Sequence, residues 1–253
     1  MIKSNNYFFG DQSRFSPSRR RGQIVLVLAV VAVALFVVVG VTSQGRSNTA
    51  QSTAAGSGTA TASNSAPPAL ELARRIDGDP TALGDLHAPV VMVEYADYRC
   101  PFCGIFSRDT MPKLVDEYVK SGVLRIEWRD FVIYGQESLD AAVAARAAGE
   151  QGLFWKYHDA IYAAAPERAH IALPRKRLRE IAKSVGVPDM AKFERDMSSS
   201  TLLGLVNADS QEGASIGVTG TPSFVVNNTT IVGAQPIDVF RQAIENALAK
   251  ARK

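Results

Sequence analysis

Two cysteines, Cys100 and Cys103, are the only ones in a chain of 253 residues, and they stand three positions apart. That spacing excludes a framework of disulfides joining distant loops. A zinc site needs about four ligands, and His87, His158 and His170 are scattered with no ligand spacing. A purely structural bridge is equally ill-suited, because so short a loop removes little chain entropy. Redox chemistry at Cys100-Pro101-Phe102-Cys103 is the reading that remains.

The local sequence suits that chemistry. A β-rich run, Val90 to Tyr95, leads through Ala96-Asp97-Tyr98 into the pair, and Pro101 fits the first turn of a helix, where its missing N–H is no loss. Cys100 then faces helical N–H groups that have no intrahelical partner and the positive end of the helix dipole. Both favour the thiolate, the reactive form of a group that ordinarily titrates at about 8.5. Cys103, one turn along, is placed to attack a mixed disulfide at Cys100 and release the partner.

The N-terminal third is of another kind. Ile24 to Val41 is an unbroken apolar run of 18 residues, counting Gly40. As a helix it would span about 27 Å, close to the hydrocarbon thickness of a bilayer. Lys3, Arg14, Arg19, Arg20 and Arg21 precede it against Asp11 alone, while only Arg46 follows closely. The positive-inside rule therefore puts residues 1–22 in the cytoplasm as a basic tail and residues 23–41 across the membrane as a single-pass anchor through 24–41. A cleaved signal peptide is the competing reading, but no cleavage site directly follows the run. Residues 42–68, almost all Ser, Thr, Ala, Gly, Asn and Gln, read as a flexible linker. The net charge of +3 owes much to the basic tail, and no basic stripe with interleaved aromatics appears elsewhere, so nucleic acid is not an expected partner.

Residues 69–253 read as the folded domain. After the Cys pair a helix is expected to about Val119, kinked at Pro112. Val123 to Trp128 then alternates as a strand should, completing a β-α-β unit with parallel strands. From about 137 to 216 the chain reads as helical, with a break at Gly186-Val187-Pro188. Two short β-runs, Ser223 to Val226 and Thr230 to Val232, flank Asn227-Asn228 as a hairpin, and Ile237 to Lys250 forms a closing helix.

On these residues the chain resembles the DsbA-like thiol:disulfide oxidoreductases of the thioredoxin-fold superfamily. The likeness is carried by Val93 to Cys103, Ile126 to Phe131, Phe154 to Asp159, and Gly217 to Phe224. It implies an α/β thioredoxin-like fold, a central mixed sheet flanked by helices, with a helical insertion at about 137–216; the apolar run at 24–41 places one transmembrane helix ahead of that domain. It implies that Cys100 attacks and Cys103 resolves. It also implies that Thr221-Pro222 is a cis-proline loop facing the pair, with Thr221 offering its backbone to substrate. Glu94, six residues before Cys100, matches an acid that shuttles a proton to or from the resolving cysteine; a glutamate at a sheet edge or in a salt bridge is the plainer alternative. Asp97 reads as capping or turn chemistry, His158, Trp128 and Trp155 as packing residues, and Phe102 as an exposed residue that tunes the site.

Between the cysteines the strongly oxidising members have Pro-His, where this chain has Pro-Phe. Phenylalanine neither donates a hydrogen bond nor lends charge, so the Cys100 pKa should be lowered less and the disulfide be a milder oxidant. Thr221 likewise resembles isomerase and reductase members. The leading expectation is an anchored, extracytoplasmic enzyme that introduces disulfides into reduced or misoxidised secreted proteins and is reset by a membrane redox partner linked to quinone. It needs no cofactor and no metal. A reductase, isomerase or thiol peroxidase of the same fold is the rival, and a non-catalytic thioredoxin-like binding module the reading from another class.

Overall fold

A sheet strand buried along its whole length organises the domain. The computed structural model describes residues 72–252, so the expected tail, anchor and linker lie outside the described residues. Among those residues no helix is long and apolar enough to cross a membrane. Strand β2, Val90–Ala96, is buried at every position. Such a strand must be covered on both faces, and its near-continuous apolar sequence fits that place.

The sheet has the order β1-β3-β2-β4-β5, with β1 at Ala82–Leu83, β3 at Leu124–Asp130, β4 at Ser223–Val226 and β5 at Thr229–Val232. Strands β2 and β3 are parallel, in register from Val90 opposite Leu124 to Ala96 opposite Asp130. The other pairings are antiparallel, which makes the sheet mixed. Between β2 and β3 runs α1, whose segments are α-helical at Pro101–Ile105, π-helical at Phe106–Thr110, α-helical at Met111–Leu114 and π-helical at Val115–Val119. The expected kink at Pro112 thus takes the form of wide turns on either side of it. A proline cannot donate to the carbonyl four residues back, and a π-turn absorbs the loss. The hairpin forms with Asn227 in the left-handed region (φ 46°), and β5 begins at Thr229, one residue earlier than its sequence suggests.

Five helices lie between β3 and β4: α2 (Gln136–Gly149), α3 (Phe154–Ala163), α4 (Arg175–Val185), α5 (Met190–Asp196) and α6 (Ser200–Ser215). The Ala-rich α2 is buried over most of its surface, because small side chains let α3 and α6 approach from different sides. Gly186, in the left-handed conformation (φ 82°), ends α4 where the sequence places a break. Helix α7 (Ile237–Ala251) returns to the sheet, where Phe240 meets Phe106 and Phe224 at centroid distances of 5.1 and 4.9 Å.

The second face of β3 carries Arg125, Glu127 and Arg129, and all three are buried. A strap of chain at Leu72 to Arg75 seals them: Glu127 accepts from the Arg74 and Arg75 amides at 2.9 and 3.0 Å, and from the Arg125 and Arg129 guanidiniums at 2.9 Å each. Burial alone would raise the Glu127 carboxyl, but these donors outweigh it and bring the pKa down to about 2. A carboxylate depressed in this way stabilises the fold above its ordinary 4.5, and that contribution is lost as pH falls toward 2. Glu127→Gln should therefore lower stability by about 3 kcal/mol at pH 7. Urea unfolding at pH 7 and pH 3 tests this; the difference should shrink by more than half at the lower pH, whereas a pH-independent difference contradicts the account.

Candidate functional site

The site forms where β2 ends. Cys100 is the N-cap residue of α1, extended at φ −71° and ψ 121°, with Pro101 opening the first turn. Asp97 sets this entry. Its Oδ1 accepts the Arg99 amide at 2.7 Å, and its carbonyl accepts the Cys100 amide at 3.0 Å. Its Oδ2 accepts the Ile133 and Tyr134 amides at 2.8 and 3.2 Å. Asp97 is thus turn chemistry, as its sequence suggests, and also a latch joining the ends of β2 and β3.

Opposite the helix end, the Thr221-Pro222 peptide bond is cis and leads directly into β4. The Cys100 thiol donates to the Thr221 carbonyl at 3.2 Å. Cys100, Cys103, Thr221 and Pro222 are therefore brought together, and Phe102 stands beside them, 60% exposed. The two cysteines are free thiols in this structure and both are buried.

Their environments differ sharply. The Cys103 thiol beside it is the largest influence on Cys100, followed by opposing desolvation; the helix-end backbone at Cys103 and Phe102 adds to the first, and the outcome is a pKa of about 6. Burial drives Cys103 the other way, well above the usual thiol range, and the neighbouring Cys100 adds to the rise. One sulfur is therefore a thiolate at neutral pH and the other holds its proton.

Glu94 is buried on the central strand, with Trp128 and Phe224 as its register neighbours on β3 and β4. It is neither at an edge nor salt-bridged: its Oε2 has no hydrogen-bond partner. Desolvation pushes its pKa up to about 8. Its charge bears on Cys103, Tyr98 and Tyr162. His158 packs among Trp128, Trp155 and Tyr162 at 5.0, 5.1 and 4.9 Å, and Trp128 is fully buried while Trp155 lies partly buried against the core.

Three residues of the rim escape sequence reasoning. Arg99 donates to the Ile171 carbonyl at 2.9 Å and the Tyr134 carbonyl at 2.8 Å. His170 lies over Tyr134 at 4.2 Å and bonds through Nδ1 to the Arg99 carbonyl at 2.9 Å. Tyr134 follows a strand and His170 sits in a loop, positions with no periodicity to mark them; only the fold joins them. Among the described residues, no group of three His, Cys, Asp or Glu side chains is placed to hold a metal ion.

A family model described as thioredoxin matches residues 77–246. Disulfide bond formation protein D of Bacillus subtilis is 26% identical over 175 residues, covering 68% of this chain and 78% of the relative. The probable disulfide bond formation protein D of Bacillus anthracis is 30% identical over 173 residues, 67% of this chain and 78% of that one. The crystal structure of oxidised BdbD from Bacillus subtilis superposes with a TM-score of 0.64 at 25% identity, covering 73% of this chain and 97% of that one.

The raised Glu94 pKa has a consequence for stability. Between pH 4.5 and 8 the unfolded chain releases a proton that the folded one retains, so wild-type stability falls as pH rises through that window. In Glu94→Gln this loss is absent, and the variant should gain about 3 kcal/mol on wild type between pH 4.5 and 7 in urea unfolding. An equal difference at both pH values contradicts a buried, protonated Glu94.

Proposed function

The chain belongs to the DsbA-like thiol:disulfide oxidoreductases of the thioredoxin family, and from that premise we propose that it introduces disulfides into reduced or misoxidised secreted proteins through a mixed disulfide at Cys100. The observation that carries the reading is the placement of Cys100 at the N-terminus of α1 facing the cis Thr221-Pro222 loop, with Cys103 buried one turn along; the lowered Cys100 pKa and the raised Cys103 pKa accord with it. A stabilised Cys100 thiolate favours the dithiol over the disulfide, which makes the oxidised form a disulfide donor. The relatives' names, disulfide bond formation protein D, accord with that direction.

The exchange runs as follows. A substrate thiolate attacks Cys100 of the Cys100–Cys103 disulfide; the S–S bond breaks and Cys103 leaves with the electron pair. Glu94, protonated at neutral pH, supplies the proton that Cys103 needs in its buried place. A second substrate thiolate then attacks the substrate sulfur of the mixed disulfide, leaving an oxidised substrate and the Cys100 thiolate. The Thr221 carbonyl offers the substrate backbone an acceptor next to the reacting sulfur, and the exposed Phe102 gives it apolar contact. Two electrons have passed from substrate to enzyme, and a membrane redox partner removes them.

The apolar run at 24–41 and its basic flank support an extracytoplasmic domain on a single-pass anchor, with the N-terminus inside, residues 1–22 as tail, 42–68 as linker and 69–253 as the catalytic domain. An oxidising compartment is where such a disulfide can persist. Phe102 and Thr221 favour a second reading, a milder isomerase or reductase of the same fold, because the Phe102 side chain supplies the thiolate with no hydrogen bond.

Oxidative folding of a reduced secreted protein, run beside insulin reduction, separates the two. Catalysed disulfide formation with little insulin reduction is expected, together with complete loss in Cys100→Ser and accumulation of mixed disulfides in Cys103→Ser. Faster insulin reduction than oxidation would reverse the assigned direction, and activity that survives in a Cys100→Ser, Cys103→Ser double variant would indicate a binding module.

A further inference from the structure

The charged groups that lead into Cys100 are turned toward the protein. Asp97 accepts the Arg99, Ile133 and Tyr134 amides on its carboxylate, and its carbonyl accepts the Cys100 amide. Arg99 directs its guanidinium to the Ile171 and Tyr134 carbonyls and toward Glu137 at 3.5 Å. Glu137 in turn accepts the Leu173 amide at 3.1 Å. These charges hold the loops of the rim together rather than reach out to a bound chain.

What the rim presents outward is apolar. Phe102, on the first turn of α1, is 60% exposed, and Ile133, on the loop after β3, is 42% exposed. A lone apolar side chain on a surface is ordinary, but Ile133 is held out on a fixed backbone. Its N–H and that of Tyr134 donate to Asp97 at 2.8 and 3.2 Å, and the Tyr134 carbonyl accepts Arg99 at 2.8 Å. Packing does not account for it: Phe131 is buried, and Val132 and Tyr134 lie partly buried against the core. Because β2 runs between β3 and β4, the loop carrying Ile133 stands on one side of Cys100. The Thr221 carbonyl, 3.2 Å from the sulfur, stands on the other. An apolar anchor on a backbone already fixed costs little further ordering when a partner covers it.

We propose that Ile133 is a specificity-determining residue of the exchange, and that the preferred substrates are extended, reduced segments with an apolar side chain within two residues of the cysteine. Such a segment sets its cysteine at Cys100 and its backbone along Thr221, and its apolar side chain covers Ile133 beside Phe102. The reach suffices: two residues of extended chain span about 7 Å, more than the spacing of about 4.8 Å between neighbouring strands. Apolar segments are exposed in a chain that has not folded and are mostly buried afterwards. The preference therefore directs the enzyme to chains that still need their disulfides. The inference rests on the reading of Cys100 as the attacking sulfur.

The test is oxidation by the full-length chain, recycled with glutathione disulfide, of two reduced peptides. Each carries a pair of cysteines, and they differ only in leucine or serine beside the first. Wild type should favour the leucine peptide by about 10-fold in kcat/KM, the size expected of one apolar side-chain contact. Ile133→Ser, which keeps both amide bonds to Asp97, should cut that ratio to about 3-fold or less, and Ile133→Leu should retain it. A wild-type ratio near one, or a ratio unchanged in Ile133→Ser, overturns the proposal. So does a shift in the pH dependence of Cys100 alkylation in Ile133→Ser, which would place the effect on the sulfur rather than on the substrate. A second measurement needs no change at Ile133: with the leucine peptide trapped as a mixed disulfide on Cys103→Ser, NMR should show contacts between the leucine and Ile133 methyls. Their absence counts against the proposal, whereas a peptide that cannot be trapped at Cys100 at all overturns the parent reading instead.

Discussion

Two sulfur atoms one helical turn apart compete for a single negative charge, and the surrounding structure decides which of them holds it. Cys100 stands at the N-terminal end of α1, beside helix-end backbone N–H groups and a thiol donor. Cys103 is inside, where water cannot stabilise its charge. A symmetric environment would leave the pair a sluggish dithiol. The difference between the two sites favours the charge on Cys100 and the proton on Cys103, the asymmetry on which the proposed exchange rests.

Three strands maintain that difference. β2 delivers Cys100 and carries Glu94 beneath the site, and β3 supplies the loop that Asp97 latches through Ile133 and Tyr134. The start of β4 brings Thr221 and Pro222 to the facing side. Since β2 lies between the other two, a shift of register at either neighbour would move one wall of the site relative to the helix end. The buried charges behind β3, sealed by the Leu72 to Arg75 strap, resist such a shift, because sliding the strand would take Glu127 from the Arg74 and Arg75 amides and Arg129 from the Leu72 carbonyl.

Much of this is written in local sequence. Pro101 after Cys100, the apolar run of β2 and the Asn227-Asn228 turn each express a backbone preference that acts over a few residues. The kink at Pro112 is legible too, although its form as π-turns depends on how α1 packs. Features that depend on distant partners are not. The alternation of β3 marks a strand, yet nothing local reveals that Arg125, Glu127 and Arg129 are buried under a strap some 50 residues earlier in the chain. β1 has only two residues, too few for a periodicity, and exists because β3 offers it an edge. Glu94 is readable as an acid in a strand, but its burial without a salt bridge depends on the central position of β2. Tyr134, Arg99 and His170 meet only after three loops have folded against one another.

The central claim is that stabilising Cys100 as a thiolate makes the disulfide an oxidant, milder than the family's Pro-His members because the Phe102 side chain lends the sulfur neither a hydrogen bond nor charge. Its most direct test is the reduction potential of the Cys100–Cys103 pair in the intact chain, measured by equilibration with glutathione. With the Cys100 thiolate favoured by its surroundings, the reduced form is favoured as well, and the potential should be clearly less negative than thioredoxin's, which is about −270 mV. A value at or below that figure would contradict the account.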